Sequence, residues 1–501
     1  MPNLASLLVD TAARLPRRPA VVLDDTVLSY AELDDLSARA ATLLRDGGVH
    51  PGDRVALIAP NVPHMPIAYY GILRSGAVVV PLNPLLTPRE LAHHFQDAEV
   101  SAVVVWEAMA GACREALERL GLDVPVVELS AAGTLQRLAG VEPLAGLEQR
   151  GAQDMAVLLY TSGTTGRPKG AMLTHDNLLG NAEMVVDLFR IVPEDVFFGG
   201  LPFFHVFGQT VALNAVVAAG AAVTLLPRFA PRTVLEILER DGVTVLDGVP
   251  SMHVALLGAA GDRPVALPAL RAAISGGAAL PVEVLRRFEG VFGVRLYEGY
   301  GLSETSPVVS FNQLDGPVRP GSIGTAVPGA RLRVLDDTGA EVPTGEVGEL
   351  AVAGRYVMAG YWRNPEATAE AVRDGWFRTG DLARMDQDGC VFIVDRKKDM
   401  ILRGGYNVYP REVEEALYEH PAVAEVAVVG ISDEVQGQEV AAFVVLTAEA
   451  APDGERLVPE LRSWVRERVA SYKRPRLYRV VDALPKGPTG KILKREVEGL
   501  V

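Results

Sequence analysis

Between Tyr160 and Gly170 the chain reads Y-T-S-G-T-T-G-R-P-K-G, which gathers three glycines, four Ser/Thr hydroxyls and a lysine in eleven residues. Glycines let backbone N–H groups approach a ligand closely, and amides, hydroxyls and an ammonium together suit a polyphosphate. Thr161, Ser162, Gly163, Thr164, Thr165 and Lys169 are therefore candidate phosphate contacts. This is not a Walker loop, which needs G-x-x-x-x-G-K followed by Ser or Thr. Here Pro168 stands five positions after Gly163, and Lys169 is followed by Gly170, which has no side chain to hold a magnesium ion.

Further along, Ser275-Gly276-Gly277-Ala278 follows an apolar run and reads as a strand-end turn. Tyr297 to Thr305, Y-E-G-Y-G-L-S-E-T, offers a ring at Tyr300 that can stack a flat base and a hard oxygen ligand for magnesium at Glu304. In W-F-R-T-G-D, residues 376–381, an aspartate in a tight turn can accept both ribose hydroxyl protons. His205 stands in the aromatic run L-P-F-F-H-V-F-G, and Lys491 in a loop built of two prolines and two glycines, L-P-K-G-P-T-G-K-I. Each alone would pass for a turn, a core histidine or a surface lysine.

Six such motifs in this order resemble the adenylate-forming superfamily over essentially the whole chain, with the strongest similarity to bacterial medium- and long-chain fatty acyl-CoA ligases. The resemblance implies an acid–thiol ligase: a carboxylate reacts with ATP to give acyl-AMP and pyrophosphate, and the acyl group then passes to coenzyme A. It places Gly276, Gly277, Ala278 and Tyr300 around the adenine, with Glu298, Gly299, Gly301 and Ser303 in the same nucleotide segment. It gives the ribose to Asp381 and Arg396, Mg²⁺ to Thr161 and Glu304, and the α-phosphate and carboxylate oxygens to Lys491. His205, Phe207 and Gly299 fall to the acyl pocket, Gly404 and Gly405 to the coenzyme A path, and Asp395 to a hinge. Lys491, His205 and Glu304 form the implied catalytic set. Relatives that activate malonate carry an arginine where this chain has Gly299, which disfavours a dicarboxylic acid and leaves room for an apolar tail. An amino-acid substrate is disfavoured too, since no aspartate stands near His205. An aryl acid of the cinnamate type and delivery to an acyl carrier protein are the alternatives. A non-catalytic sensor would have lost Lys491, Glu304 or the phosphate loop, and all are present.

Positioning these residues calls for an α/β scaffold. Met155 to Tyr160 has strand length and is apolar, as is Ala171 to Leu173, so the phosphate loop joins two strands. Ser29 and Glu32 form a capping box for a helix that carries Leu33, Leu36, Ala40 and Leu43 on one face and stops at Gly47-Gly48. Thr87-Pro88-Arg89-Glu90 opens another helix, and Arg54 to Ala59 and Val100 to Trp106 are strand-like. Leu73 to Pro81 and Val217 to Pro227 repeat one pattern of helix, glycine, apolar strand and proline, the mark of two related α/β halves. From about Pro320 short strands and Gly/Pro turns predict a small β-barrel-like subdomain. The expected domains are 1–394, which binds the nucleotide, and 395–501, a small mobile α+β domain with its hinge at Asp395. In the latter, Pro410 to Tyr418 and Glu460 to Ala470 read as helices, Val423 to Val429 and Val440 to Leu446 as strands.

Composition sets the outer bounds. A net charge of −15 argues against a general nucleic-acid binder. Residues 396–501 hold 17 basic and 17 acidic side chains, so the whole negative balance falls on the first 395. Cys113 and Cys390 have neither metal spacing nor a disulfide role. No basic, apolar leader opens the chain, and Val211 to Leu226 is broken by Asn214, Gly220 and Thr224, so it reads as a buried helix, turn and strand. The expectation is a cytoplasmic enzyme, monomer or homodimer, without a membrane span.

Overall fold

The computed structural model describes residues 3–161, 168–261, 263–316, 318–433, 435–487 and 490–500. The expected phosphate contacts Ser162, Gly163, Thr164 and Thr165 lie outside the described residues.

Two large sheets carry the first 330 residues, with one short later strand added to the edge of one of them. In the seven-stranded sheet the order is Gly360–Tyr361, Lys169–Thr174, Met155–Thr161, Val78–Pro81, Arg54–Ile58, Val100–Trp106 and Val126–Leu129. From Met155–Thr161 onward the pairing is parallel, as apolar strands covered on both faces require. The nine-stranded sheet runs Thr325–Ala326, Val308–Phe311, Leu296–Gly301, Ala272–Ser275, Val245–Gly248, Val196–Gly199, Ala222–Leu225, Pro19–Leu23 and Thr26–Ser29. Its parallel centre has antiparallel strands at both edges. One hydrophobic core joins the two sheets, running from Val79 and Leu159 to Phe197 and Val223. The helix His64–Arg74 is buried along its whole length there, as its nearly unbroken apolar sequence demands.

The repeated helix–glycine–strand pattern occupies matching places in the two halves. His64–Arg74 leads through Gly76 to Val78–Pro81 in one sheet, and Ala215–Ala219 through Gly220 to Ala222–Leu225 in the other. A π-helical turn, Gly208–Asn214, precedes the second helix. The polar groups that interrupt this stretch are satisfied inside the fold: Asn214 bonds the Tyr69 and Tyr70 hydroxyls, and Thr224 donates to Asp241 at 2.6 Å. Among the described residues no helix is long and apolar enough to cross a membrane.

Both expected capping boxes form, at Ser29/Glu32 on Tyr30–Asp46 and at Thr87/Glu90 on Pro88–Ala98. The buried face of Tyr30–Asp46 is rotated from the expected one. Leu33 is buried as expected, but Ala41 and Leu44 complete its face, while Leu36, Ala40 and Leu43 lie on the flank, partly buried. The stripe follows where the helix meets His64–Arg74, not where the largest apolar residues align.

A small antiparallel sheet follows, made of Ala330–Leu335, Gly348–Gly354, Trp376–Met385, Val372–Arg373 and Val391–Arg396, with its own core of Ile323, Val334, Leu350, Ala383 and Val391. The last part of the chain is α+β. Val423–Asp433 and Gly437–Leu446 pair antiparallel, and Leu477–Val480 runs parallel beside them. Alternation along Val423–Asp433 sends Val426 and Val428 towards the helices Pro410–Tyr418 and Val458–Arg468, and Ala427 and Val429 to the opposite face with Val497.

Candidate active site

The hairpin Met155–Thr161 and Lys169–Thr174 delivers Thr161 and Lys169, paired across the two strands, to the rim of a cavity of about 1020 Å³. Strand ends of the other sheet reach the same cavity: Ser275, Gly276 and Gly277 beyond Ala272–Ser275, and Gly299, Tyr300 and Gly301 within Leu296–Gly301. Ligands gather outside the carboxyl ends of parallel strands because the connecting loops diverge there. Ser303 and Glu304 line it as well, as do Asp381, Arg396 and Lys491. The described residues thus bring Thr161, Lys169, His205, Phe207, Glu304, Tyr300, Asp381, Arg396 and Lys491 around one space.

Glu304 is buried, and its Oε1 accepts from Thr161 Oγ1 at 3.3 Å and from the Tyr361 hydroxyl at 2.9 Å. The Lys169 ammonium lies 5.2 Å from the centre of the Tyr361 ring. Tyr361, on the short strand that pairs with Lys169–Thr174, is a site residue that the sequence reasoning missed. The paired aromatics of G-Y-W-R, Tyr361 and Trp362, were the available signal. Among the described residues no cluster of three His, Cys, Asp or Glu could hold a metal. A carboxylate beside a hydroxyl instead fits Mg²⁺, which keeps waters and substrate phosphates as most of its ligands.

Asp381 differs from expectation in its setting. It sits not in a tight turn but inside the strand Trp376–Met385, just after Gly380 at φ 73°, and is cross-strand neighbour to Arg396. Arg396 Nε lies 3.2 Å from Asp381 Oδ1, and the Tyr300 hydroxyl donates to Oδ2. The left-handed glycine lets the strand shift so that the carboxylate turns into the cavity. Burial, then the negative Asp381, pushes the Tyr300 phenol well up, so it stays a neutral ring with a donating hydroxyl.

Two glycines serve close approach. A Cβ at Gly276 would lie 3.0 Å from the Phe207 ring, and one at Gly299 would lie 2.7 Å from Phe311 Cδ2. The space beside Gly299 is therefore occupied by the Phe311 ring, which itself packs on Phe189 with centroids 4.7 Å apart. Both phenylalanines line the cavity. Glu298 is 2% exposed; its Oε1 accepts from Leu280 N at 3.0 Å, and Oε2 has no partner among the described residues.

Lys491 arrives from the other side. The loop that carries it is closed by Gly487 N donating to Lys491 O at 2.8 Å, and it is fastened to the large domain by Ser251 Oγ donating to Gly490 O at 2.8 Å. Burial, then the neighbouring Arg396 cation, lowers the Lys491 ammonium to about 8. Burial and the Lys491 charge lower His205 to about 4, so its imidazole is neutral. Its Nδ1 accepts from Phe207 N at 3.3 Å, which puts the ring proton on Nε2. Gly404 and Gly405 are not in this cavity; they form an exposed hairpin turn between Ile401–Arg403 and Tyr406–Val408. Asp395 is buried in the strand Val391–Arg396, where its Oδ2 accepts from Arg411 N at 2.9 Å.

A cavity that gathers strand-end glycines, a buried carboxylate, apolar side chains and a half-buried lysine from the last part of the chain fits an adenylate-forming enzyme. Residues 8–362 match the AMP-binding enzyme family and residues 412–491 its AMP-binding enzyme C-terminal domain. A long-chain-fatty-acid–CoA ligase from Bacillus subtilis (strain 168) is 39% identical over 99% of this chain and 94% of its own length. A feruloyl-CoA synthase from an Amycolatopsis species is 38% identical over 99% of this chain and 98% of its own. Among solved structures, MatB from Rhodopseudomonas palustris, 35% identical over 100% of this chain and 98% of its own, superposes with a TM-score of 0.92 with ATP bound and 0.82 in its apo form. The chain belongs to the AMP-binding enzyme family. It is an AMP-forming acid–thiol ligase, using ATP to activate a carboxylic acid for transfer to a thiol.

Proposed function

We propose that the enzyme activates a medium- or long-chain fatty acid and transfers it to coenzyme A. The observation that carries this reading is the wall of Val206, Phe207, Ile274, Val308 and Phe311, which continues the cavity from His205 and Lys491 into an apolar annex. A chain that packs there leaves its carboxylate among the charged groups. The relatives named for long-chain acids support the same class. An aryl acid is the second reading: the Phe189 and Phe311 rings, tilted against each other at 52° in the cavity wall, offer aromatic partners for a ring, and feruloyl-CoA synthase is nearly as similar.

The difficulty of adenylation is that a carboxylate must attack a phosphate while negative charge grows on both reacting ends. Lys169 at the outer phosphates and Lys491 at the α-phosphate and carboxylate oxygens supply fixed positive charge to that build-up. Thr161 and Glu304 would hold Mg²⁺, which when bound neutralises phosphate charge. Asp381 and Arg396 would orient the ribose, and Tyr300 and the 276–278 turn would orient the adenine. Neutral His205 donates from Nε2 at the mouth of the annex and adds no charge of its own. We place the domain boundary at Asp395. Adenylation then uses the present orientation of residues 395–501, and thioester formation needs a second one that withdraws Lys491 and brings Gly404-Gly405 to the tunnel.

The test is pyrophosphate release with ATP and Mg²⁺ across straight-chain acids from acetate to palmitate, with benzoate and cinnamate, each with and without coenzyme A. A maximum at medium or long chains with turnover that needs coenzyme A is expected. A maximum on aryl acids moves the substrate to the second reading, and adenylation that coenzyme A never releases points to a carrier-protein acceptor.

A further inference from the structure

The helix Pro410–Tyr418 begins at the junction between the two domains, and its first turn carries Arg411, a residue outside every motif read from the sequence. Arg411 makes three contacts there. Its backbone N–H donates to Asp395 Oδ2 at 2.9 Å, its Nη1 donates to the Ile393 carbonyl at 2.7 Å, and its Nε lies 3.6 Å from Glu415 Oε1 one turn along. Glu415 in turn crosses the junction, its Oε2 accepting at 3.2 Å from the N–H of Val282, the first residue of the helix Val282–Phe292 in the large domain. Arg411 is thus held against the strand that runs through the boundary and, by way of Glu415, linked to the start of a large-domain helix, with its side chain largely removed from solvent. Its charge also reaches Glu298, the half-satisfied carboxylate on the strand that carries Tyr300: burial pushes Glu298 up to about 7 and Arg411 works against that rise.

We propose that Arg411 is a positioning residue that pins the small domain in the orientation used for adenylation, acting on the reaction through Lys491. The contacts it makes to Ile393 and, by way of Glu415, to Val282 exist only while the helix faces this part of the large domain. The same placement lets Ser251 hold Gly490 and Lys491 enter the cavity. Hydrogen bonds from a guanidinium in a partly buried junction are among the stronger polar contacts. Losing them in one orientation only shifts the balance towards the other. The inference rests on the reading above that Lys491 serves the first half-reaction from this orientation.

The experiment uses the full-length enzyme carrying Arg411→Met, which keeps an apolar stem, and Arg411→Lys, which keeps a charge and a donor. Acyl-AMP formation is measured by pyrophosphate release in the absence of coenzyme A, thioester formation from supplied acyl-AMP and coenzyme A, and thermal unfolding alongside both. Arg411→Met is expected to lose about 10-fold or more in acyl-AMP formation while thioester formation stays within about twofold, and Arg411→Lys to recover part of the loss. A residue that merely supports the fold would lower both half-reactions together with the melting temperature. Equal losses, or none, in a variant that melts like the parent overturn the assignment. Lys491→Ala is run in parallel: if it separates the half-reactions and Arg411→Met does not, the pin alone is wrong, and if Lys491→Ala does not separate them, the two-orientation reading falls and the pin with it.

Discussion

Partial burial and the neighbouring Arg396 cation loosen the hold of Lys491 on its proton, and under the role proposed for it this sets the pH dependence of the first half-reaction. With its ammonium lowered to about 8, the free enzyme carries the useful charge below that pH and sheds it above. kcat/KM for acyl-AMP formation is expected to fall as pH rises through about 8, since this ratio reports groups of the free enzyme. Thioester formation from supplied acyl-AMP should lack that limb, and Lys491→Arg should move it beyond the measurable range. Lys491→Ala is expected to reduce acyl-AMP formation by roughly 10²–10³-fold, the scale of one electrostatic donor. A second buried charge question lies away from the chemistry. Asp247 sits inside Val245–Gly248 with neither carboxylate oxygen partnered among the described residues, and burial pushes it up to about 8. Its folded-state value lies above the unfolded one, so between pH 4 and 8 the unfolded chain binds fewer protons and stability drains away as pH rises. Asp247→Asn should therefore be stabilising by at least about 1 kcal/mol at pH 7.5, with a gain that shrinks towards pH 5, read from urea unfolding at both. At this scale the polar residues that line the cavity were legible, because their types and spacing are chemical. Phe311 and Asp247 were not legible, since each owes its setting to what the fold puts beside it, Gly299 on the paired strand and a buried interior, and the role of Tyr361 beyond its aromatic type is set by the Glu304 carboxylate that its hydroxyl meets.

At the scale of elements, local signals told the truth where the physics is local. Ser29/Glu32 and Thr87/Glu90 satisfy helix-end amides from within four residues, so both helix starts could be read directly. The buried stripe of Tyr30–Asp46 could not, because it is decided by contact with His64–Arg74, and neither could the strand setting of Asp381, which depends on pairing with Val391–Arg396. At the Gly404-Gly405 hairpin the local rule meets the role proposed for it in the coenzyme A path. Its two central residues have φ 55° and 85°, a primed turn that fits the twist of the flanking strands and that glycine adopts without strain and a β-branched residue does not. Gly405→Val should strain the turn by about 1–2 kcal/mol and disturb the loop assigned to the coenzyme A path. The expected result is a slower thioester half-reaction, with acyl-AMP formation unchanged because the loop lies outside the cavity in the adenylation orientation. A variant slowed equally in both half-reactions would remove Gly405 from that path.

For the molecule as a whole, the decisive feature is that one cavity is assembled from two domains. Under the roles proposed above the large domain gives the nucleotide and acyl walls, and the small one contributes Lys491 through a loop tied to the large domain by the hydrogen bond from Ser251 Oγ to Gly490 O. A Cβ on Gly490 would lie 2.7 Å from Ser251 Oγ, so cysteines at both positions would meet within reach of a disulfide. Gly490 has φ 78°, so Gly490→Cys carries a modest strain of its own, and the reduced double variant is the proper reference. Once Ser251→Cys and Gly490→Cys are oxidised, the small domain is tied in the orientation that presents Lys491. The locked enzyme should still release one equivalent of pyrophosphate per active site with ATP and acid, retain the acyl-AMP, and form no thioester when coenzyme A is added. Reduction should restore steady turnover in the same sample, which rules out irreversible damage as the cause. Thiol counting shows that the bridge has closed, with Cys113 and Cys390 as the native background. Should a fully oxidised enzyme make thioester at the rate of the reduced one, both half-reactions run in the orientation described here, and the Gly404-Gly405 hairpin has no journey to make.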